Sequence, residues 1–495
     1  MSTPATIDTP HIDKPALVEE FAAFLAAGSV LHAPEELRPY ECDGLSAYKQ
    51  APMIVVLPET IGQVQQVMRI CHRRRVPVVA RGAGTGLSGG ALPLANGVLL
   101  ALGKFNRILD IDVVNRCAHI QPGVRNLAIS EAVAPYGLYY APDPSSQIAC
   151  SIGGNVAENS GGVHCLKYGL TVHNILRLKV VTVEGELLTI GSLAPDSAGY
   201  DLLALMTGSE GMLGVIVEVT VKLLPKPTSI QVLLAAFDDV EAAGDSVAGI
   251  IAAGIIPAGL EMMDNPAIRA VEDFVQAGYP VEAAAILLCE LDGTEDEVAM
   301  QIEQVSAVVE AHGAGEVRIA KDAEQRMKFW AGRKSAFPAV GRISPDYYCI
   351  DGTIPRKHLA KVLTRTAELS AEYGLRVANV FHAGDGNLHP LILYDANNPG
   401  ELERAEEFGA DILKLCVEVG GVLTGEHGVG VEKRDLMGTM FNEIDLNQQQ
   451  RVKCAFDPDS LLNPGKVFPQ LHRCAELGRM HIHRGQMPFP DLPRF

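Results

Sequence analysis

The chain has 495 residues, 47% of them hydrophobic, so it is long enough for two or three folded domains and too apolar to be disordered. Its 60 acidic residues outnumber the 41 basic ones, and the resulting net charge of −19 would repel a phosphate backbone and argues against nucleic-acid binding. No run of about 18 uninterrupted apolar residues occurs and the first residues lack signal-peptide features, so we expect a cytoplasmic protein.

The first half of the chain predicts short strands separated by glycine-rich loops. Helix-spaced apolar residues at 15–25 predict a peripheral helical segment over residues 1–50. After it, one helix is expected at 61–74, and strands are expected at 53–57, 76–81, 98–102, 175–184 and 214–221. The Pro-Lys-Pro sequence at 225–227 predicts a domain boundary.

Segment 82–90, Gly-Ala-Gly-Thr-Gly-Leu-Ser-Gly-Gly, follows one of these strands and predicts a ligand-binding loop. A Rossmann fingerprint must open a helix, and the Gly-Ala-Leu-Pro and Asn-Gly sequences that follow cannot start one of useful length. Successive glycine amides can still hold a diphosphate, although a turn-rich connection between strands is the alternative. Two further glycine-rich segments, 151–162 and 208–214, favour a long ligand such as a dinucleotide.

The second half of the chain predicts mixed α and β structure. Over residues 228–455, alanine-rich helices near 240–253, 359–373 and 401–419 alternate with strands such as 284–291. The chain then returns to loop and ends in a histidine-rich tail. Its ten cysteines contain no C-x-x-C pair, which predicts free thiols and places any iron–sulfur cluster in another subunit.

His382 and His389 flank a Gly-Asp-Gly-Asn turn between two short apolar runs, 376–381 and 390–394. If Asp385 and Gly386 form a two-residue hairpin loop, the two histidines lie directly opposite each other on one face. The glycine-flanked Glu426-His427 pair adds a carboxylate and a third imidazole. Two histidines and a carboxylate are a common metal site, and an unligated histidine suits a base; structural histidines at a generic turn are the alternative.

Together these segments resemble a known family of flavoenzymes. Four segments are similar to the FAD-binding domain of the vanillyl-alcohol oxidase type: the first loop with Arg81, Pro142-Asp-Pro-Ser-Ser146, 151–162 and 208–214. The His-x6-His and Gly-Glu-His-Gly segments and the sequence at 457–466 resemble its D-2-hydroxyacid dehydrogenase branch, over about residues 50 to 470. Within that branch, segment 329–342 and the Met-His-Ile-His sequence at 480–483 are similar to the flavin subunits of bacterial glycolate oxidases.

The resemblance implies an α+β fold with a vanillyl-alcohol oxidase-type FAD-binding domain at 51–227 and a substrate-binding cap domain at 228–455. A C-terminal segment, 456–495, would return to the flavin. Thr85 stands where many members with covalent flavin carry a histidine, so non-covalent FAD is expected. The implied FAD contacts are Arg81, Gly82, Ala83, Gly84, Thr85, Gly86, Leu87, Pro142, Asp143, Ser145, Ser146, Gly153, Gly154, Asn155, Asn159, Gly162, Glu210, Gly211, Gly214, Ile216 and Asn463.

The implied activity is the oxidation of glycolate, or a similar small D-2-hydroxy acid such as D-lactate, to the 2-oxo acid. Arg333 would bind the substrate carboxylate, because a guanidinium pairs with it through two hydrogen bonds. His427 would take the hydroxyl proton, while Tyr347 and Tyr348 either shape the pocket or pack in the core. One divalent metal, zinc, manganese or iron, would bind His382, His389 and Glu426.

The family also implies partners, namely a second flavin-domain subunit and an iron–sulfur subunit. We expect the tail at 471–495 to dock one of them and the protein to reach the inner face of a membrane only through them, unless the tail packs on its own domain. Three other functions stay open. They are a D-2-hydroxyacid dehydrogenase that acts alone, a metal-dependent hydrolase using the same histidines, and a non-catalytic flavin subunit.

Overall fold

The computed structural model describes residues 12–194 and 199–469, and the fold is mixed α and β as predicted. The helices of the first half are α1 (Lys14–Ala22), α2 (Pro34–Leu37), α3 (Ile61–Arg74), α4 (Asn126–Val133), α5 (Ile152–Glu158), α6 (Cys165–Tyr168) and α7 (Leu202–Met206). Its strands are β1 (Val30–Leu31), β2 (Ile54–Val56), β3 (Val78–Arg81), β4 (Val98–Ala101), β5 (Ile108–Asp112), β6 (Cys117–Ile120), β7 (Leu138–Tyr139), β8 (Ile175–Val181), β9 (Leu187–Gly191), β10 (Val215–Lys222) and β11 (Leu224–Pro225).

Two sheets organise this half. In the four-stranded sheet, ordered β1-β2-β4-β3, strand β4 runs parallel to both of its neighbours. The five-stranded sheet, ordered β5-β6-β10-β8-β9, is antiparallel. Helix α3 covers the first sheet and begins where predicted, because the Thr60 side chain accepts a hydrogen bond from the Gln63 amide in a capping box.

The glycine-rich segments differ from one another. Segment 82–90 leads into β4 without a helix, as expected. Segment 151–162 is not all loop, because α5 occupies Ile152–Glu158 and ends at Asn159 in the left-handed conformation, with φ of 57°. The turn-like composition of that segment hid a two-turn helix, since the first turn of a helix tolerates Gly153 and Gly154 well.

The second half is built on one large sheet. Its helices are α8 (Val240–Ala252), α9 (Asn265–Val275), α10 (Glu295–Ala311), α11 (Ala323–Lys334), α12 (Ala336–Val340), α13 (Leu359–Tyr373), α14 (Glu401–Glu418), α15 (Met437–Met440) and α16 (Glu443–Phe456). Its strands are β12 (Ser229–Phe237), β13 (Gly259–Asp264), β14 (Ala285–Gly293), β15 (Glu316–Ile319), β16 (Asp346–Cys349), β17 (Gly352–Thr353), β18 (Val377–Phe381), β19 (Asn387–Leu388) and β20 (Pro390–Tyr394).

Both faces of this seven-stranded sheet, ordered β15-β12-β14-β13-β18-β20-β16, are buried. Met262 and Phe381 belong to the core that includes residues of α8, α10, α13 and α14. Met263, Val380 and Leu391 belong to the opposite core, with residues of α9, α11 and α12. Side chains alternate along a strand, so the positions of these five residues decide which face of the sheet each other residue of β13, β18 and β20 occupies.

The chain returns to the first half after α16. The Asn463 amide donates to the Val78 carbonyl at 2.8 Å, and Leu462 forms a parallel bridge with Val78 at the edge of the four-stranded sheet. This agrees with the expected return of the C-terminal segment, whereas the tail at 471–495 lies outside the described residues. No helix within 12–194 and 199–469 is long and apolar enough to cross a bilayer.

Candidate active site

Strands β18 and β20 form the predicted hairpin, but its register differs from the prediction by two residues. Asn379 pairs with Pro390 and His382 with Asn387, so the loop has four residues, 383–386, and His389 does not lie directly opposite His382. The Asp385 side chain accepts a hydrogen bond from the Asn387 amide at 3.0 Å, which favours the longer loop.

This correction leaves the two histidines together. The pairing partner changes by an even number of residues, and side chains keep their face under such a shift. His382 and His389 therefore remain diagonal neighbours, with ring centroids 5.1 Å apart.

Glu426 completes a cluster of metal-ligating side chains. Its Oε1 lies 3.1 Å from His389 Nε2 and 3.6 Å from His382 Nε2. The three residues can offer ligand atoms that all lie within 4.8 Å of one another, and Glu426 Oε2 is buried without a hydrogen-bond partner. Two imidazoles and a carboxylate at this spacing fit a divalent metal.

His427 lies beside this cluster. Its ring stacks on His389 at 5.0 Å, and its Nε2 is 3.8 Å from Glu426 Oε1. Burial lowers the pKa of His427 to about 4, so its imidazole is neutral at pH 7. A neutral, mostly buried imidazole is able to accept a proton.

Asp351 fixes the loop that carries Glu426 and His427, and the sequence analysis missed it. Its carboxylate accepts hydrogen bonds from the amides of Gly425, Glu426 and His427 at 3.0, 3.2 and 2.9 Å. Burial would raise the pKa of Asp351, but attraction to His427 and Lys433 outweighs it and lowers the pKa to about 2. A polar residue two positions after β16 was the only sign of this role in the sequence.

Arg333 and Glu261 lie behind the histidines. Arg333 is 2% exposed and binds Glu261 Oε2 through Nε at 2.8 Å, while Glu261 Oε1 lies 2.8 Å from His382 Nδ1. Burial would raise the pKa of Glu261, yet the charges of His382 and Arg333 hold it below its usual value. Glu261, on β13, was not among the predicted site residues.

One cavity of about 400 Å³ joins His389, Glu426 and His427 to the glycine-rich loops. It is lined by most of the predicted FAD contacts: Arg81, Gly82, Ala83, Gly84, Thr85, Gly86, Leu87, Ser145, Ser146, Gly153, Gly154, Asn155, Glu210, Gly211, Gly214 and Ile216. His389, Glu426 and His427 also line it, with further residues that the sequence analysis did not name, among them Gly90, Pro122, Pro144, Cys150, Ser151, Glu158, Lys334, Phe337 and Pro338.

Several predicted contacts lie behind the cavity wall instead. Pro142 and Asp143 bind Asn126 and His164, and the Asn159 side chain accepts from the Val172 amide. A side chain on Gly162 would meet the Asp143 backbone. Asn463 donates to the carbonyls of Gly90 and Glu210, at 2.9 and 2.7 Å, and so braces two wall loops.

The cation and aromatic side chains at the histidine end of the cavity also differ from expectation. Arg333 is not part of the described wall, whereas the exposed Lys334 next to it is. Tyr347 lines the cavity, but Tyr348 packs into the core of the second half. Alternation along β16 explains why two neighbouring tyrosines face different surroundings.

The wall fits a ligand that approaches backbone closely. A Cβ atom on Gly82 would collide with Ser151 Oγ, and one on Gly153 would lie 2.5 Å from the Pro122 side chain. The first loop at Gly82 and the start of α5 at Gly153 therefore have no room for side chains, as expected where backbone amides face a diphosphate.

Comparison with known proteins identifies the family to which the chain is similar. Residues 52–191 match the family described as FAD binding domain, and residues 226–467 match the C-terminal domain of FAD linked oxidases. The chain is 64% identical to the glycolate oxidase subunit GlcD of Escherichia coli strain K12, over 98% of this chain and 97% of that protein. It is 34% identical to a D-lactate dehydrogenase of Anaerostipes hadrus, over 92% and 98% of the two chains.

A solved structure confirms the expected fold. The 4-ethylphenol oxidase from Gulosibacter chungangensis superposes with a TM-score of 0.78 at 19% identity, covering 94% of this chain and 99% of that one. The fold is therefore the vanillyl-alcohol oxidase type, with an FAD-binding part and a C-terminal α+β part.

Proposed function

Because the chain belongs to the FAD-linked oxidase family that includes the glycolate oxidase subunit GlcD, we propose that it oxidises glycolate to the 2-oxo acid glyoxylate. The observation that supports this most is the single cavity that joins the glycine-rich loops to His389, Glu426 and His427. D-lactate is the second candidate substrate, on the similarity to a D-lactate dehydrogenase. Bound FAD supplies the two-electron acceptor for either acid.

A substrate panel tests this function. Anaerobic addition of glycolate, D-lactate, L-lactate and D-2-hydroxyglutarate should bleach the flavin fastest with glycolate and slowest with L-lactate. Glycolate and D-lactate differ by one methyl group, which a pocket discriminates by only about 1 to 3 kcal/mol. Fast bleaching by D-lactate alone would replace the proposed substrate, and no bleaching by any of the four acids would refute the activity.

His427 is the proposed base. Asp351 Oδ2 lies 4.0 Å from His427 Nδ1, on the side of the ring away from Glu426, and favours a proton on Nδ1. Nε2 is then free to accept the hydroxyl proton of the substrate. His427→Ala should slow flavin reduction by glycolate at least about a hundredfold while the protein keeps its FAD. An unchanged reduction rate would remove His427 from the mechanism.

His382, His389 and Glu426 are proposed to hold one divalent metal, which when bound would act as a Lewis acid toward the substrate hydroxyl. Glu426 Oε2 is buried and has no hydrogen-bond partner, which supports a metal ion as its partner. A metal-dependent hydrolase could use the same residues, but it would have no use for the glycine-lined half of the cavity.

The substrate carboxylate is proposed to meet Lys334 at the end of α11. Lys334 lines the cavity and makes the direct contact, whereas Arg333, the anchor expected from the sequence, is buried in an ion pair with Glu261. This arrangement keeps the acid oriented with its hydroxyl toward His427.

FAD is proposed to bind without a covalent link. Thr85 lines the cavity at the position where many members with covalent flavin carry histidine, and a hydroxyl does not form the bond that an imidazole forms there. Acid precipitation should release the yellow chromophore into the supernatant, and flavin kept in the pellet would refute the proposal.

Electrons are proposed to leave through partner subunits, a second flavin-domain subunit and an iron–sulfur subunit. The Escherichia coli relative is by its name one subunit of glycolate oxidase, and the ten cysteines here offer no cluster spacing. Truncation after Gln470 should leave flavin reduction intact but abolish co-purification of the partners and turnover with quinone. Normal assembly of the truncated chain would refute the docking role of the tail. A dehydrogenase that acts alone would show neither partner.

A further inference from the structure

A buried carboxylate stands behind one of the proposed metal ligands. Strand β13 pairs with β18 through Met262 opposite Phe381 and Met263 opposite Val380, which places Glu261 opposite His382 one position further along. Glu261 is 1% exposed, and its two oxygens lie 2.8 and 3.0 Å from His382 Nδ1. Because an ionised carboxylate only accepts hydrogen bonds, His382 must donate from Nδ1.

That donation decides what the other ring nitrogen can do. Because the Nδ1–H is directed at Glu261, Nε2 is the nitrogen left to give its lone pair to a metal, and this atom faces Glu426 Oε1 at 3.6 Å. Metal-bound histidines usually donate their second N–H to a carboxylate or a carbonyl, which fixes the tautomer and the ring orientation.

Arg333 stabilises the negative charge of the buried Glu261 carboxylate. Its Nε and Nη2 lie 2.8 and 2.7 Å from Glu261 Oε2. An unpaired carboxylate buried to this degree would be very unfavourable, and the guanidinium offsets most of that cost.

We propose that Glu261 is a positioning residue that holds His382 for metal binding, with Arg333 as its counter-ion. The inference rests on the proposed metal site and deepens it, because it adds a residue that is not one of the three proposed ligands. It assigns to the arrangement Arg333–Glu261–His382 a role in metal affinity that is separate from its role in stability.

The test separates those two roles with paired substitutions. Glu261→Met with Arg333→Met replaces the buried ion pair by apolar side chains of similar size, a change that is often neutral for stability. His382 then has no acceptor for Nδ1–H. Glu261→Gln with Arg333→Met restores an acceptor oxygen without the charge. Glu290→Met is the matched control, since Glu290 on the neighbouring strand β14 also pairs with a histidine, His164, outside the metal site.

The measurement is zinc and manganese affinity of the metal-depleted, FAD-loaded protein, by competition with a chromophoric chelator and without substrate. Thermal unfolding is followed in parallel. The Met/Met variant should bind metal roughly 10- to 100-fold more weakly than wild type, the Gln/Met variant should recover part of that loss, and Glu290→Met should bind like wild type.

Each failure has its own meaning. Equal metal affinity in wild type and the Met/Met variant would overturn the role of Glu261. A loss in the Met/Met variant that follows its unfolding temperature, with no recovery in Gln/Met, would reduce Glu261 to a structural residue and also overturn the proposal. Wild-type protein that binds neither metal would refute the metal site itself.

Discussion

At the scale of single residues, Asp351 fixes the loop at the centre of the site although it does not line the cavity. It receives three consecutive backbone amides of the loop that carries Glu426 and His427, and Lys433 Nζ lies 3.3 Å from its Oδ2. Lys433 is fully buried and also donates to the Gly428 carbonyl at 2.9 Å. The loop is therefore held from the inside by Asp351 and by Lys433, which also pairs with Glu432 at 3.4 Å.

We expect Asp351→Asn to lower the free energy of unfolding by roughly 3 kcal/mol at pH 7, since it leaves the buried Lys433 with Glu432 as its only remaining ion-pair partner among the described residues. The folded pKa of about 2 lies below the ordinary value, so this stabilisation is complete above about pH 4 and is lost as the pH falls toward 2. The difference from wild type should therefore shrink over that interval. Denaturant unfolding at several pH values measures it, with the exposed Asp245→Asn on α8 as control.

A second expectation at this scale concerns Lys334. Loss of a charge-assisted hydrogen bond costs about 1.5 to 3 kcal/mol, so Lys334→Met should raise the KM for glycolate roughly tenfold to a hundredfold. The kcat should change less, because the contact holds the ground state and the transition state alike. Lys328→Met, on the exposed side of the same helix, is the matched control. An unchanged KM in Lys334→Met, with a raised one in Arg333→Met, would return the anchor role to Arg333.

At the scale of elements, the β18–β20 hairpin depends on one glycine. Gly386 has φ of +82°, and a Cβ atom there would collide with the carbonyl of Ile354, in the neighbouring segment that follows β17. Gly400 has the same φ but no atom within 4 Å of the added Cβ. The two glycines therefore separate the conformational requirement from the steric one.

Gly400→Ala should lower the free energy of unfolding by about 1 to 2 kcal/mol, the cost of a left-handed alanine. Gly386→Ala should cost distinctly more and should also weaken metal binding, because relieving the collision displaces the strand ends that carry His382 and His389. Unfolding curves and metal analysis of both variants check this. Equal costs for the two substitutions, with metal binding intact, would contradict it.

The elements also show how much of the fold could be predicted from the sequence. Helix α3 was predicted to the residue because its capping box and periodicity are local. The strands of the hairpin were predicted from composition, but their register depended on the Asp385 side chain, whose bond to the Asn387 amide composition does not specify. Glu261 was missed because it meets His382 across 121 positions of sequence, through strand pairing that no local pattern encodes.

At the scale of the whole molecule, the two halves are joined on both sides of the cavity. His164 lies 2.9 Å from Asp143 and 3.1 Å from Glu290, which also accepts from the Trp330 indole at 2.5 Å. On the other side, Glu210 accepts from the Val429 and Gly430 amides at 2.7 Å each. The site is therefore shared by the two halves and belongs to neither alone.

Two truncations test how far the C-terminal return matters for the cofactor. A chain that ends at Phe456 loses Leu462 and Asn463, which bind the edge of the first sheet and brace Gly90 and Glu210. It should purify without FAD, because the wall loops lose their support. A chain that ends at Gln470 keeps those contacts and should retain FAD. Flavin content per chain measures both, and FAD retained by the shorter chain would contradict the bracing role.

The return of Asn463 also sets an order of events during synthesis. A chain leaves the ribosome from its first residue onward, and its domains fold as they emerge. Gly90 and Asn463, which touch in the finished protein, are separated by 373 positions. The loops for the cofactor are thus made early and stay unsupported until almost the whole polypeptide exists. Chains that end before Asn463 should fail to retain FAD, so cofactor retention itself marks the molecules whose translation has passed this residue.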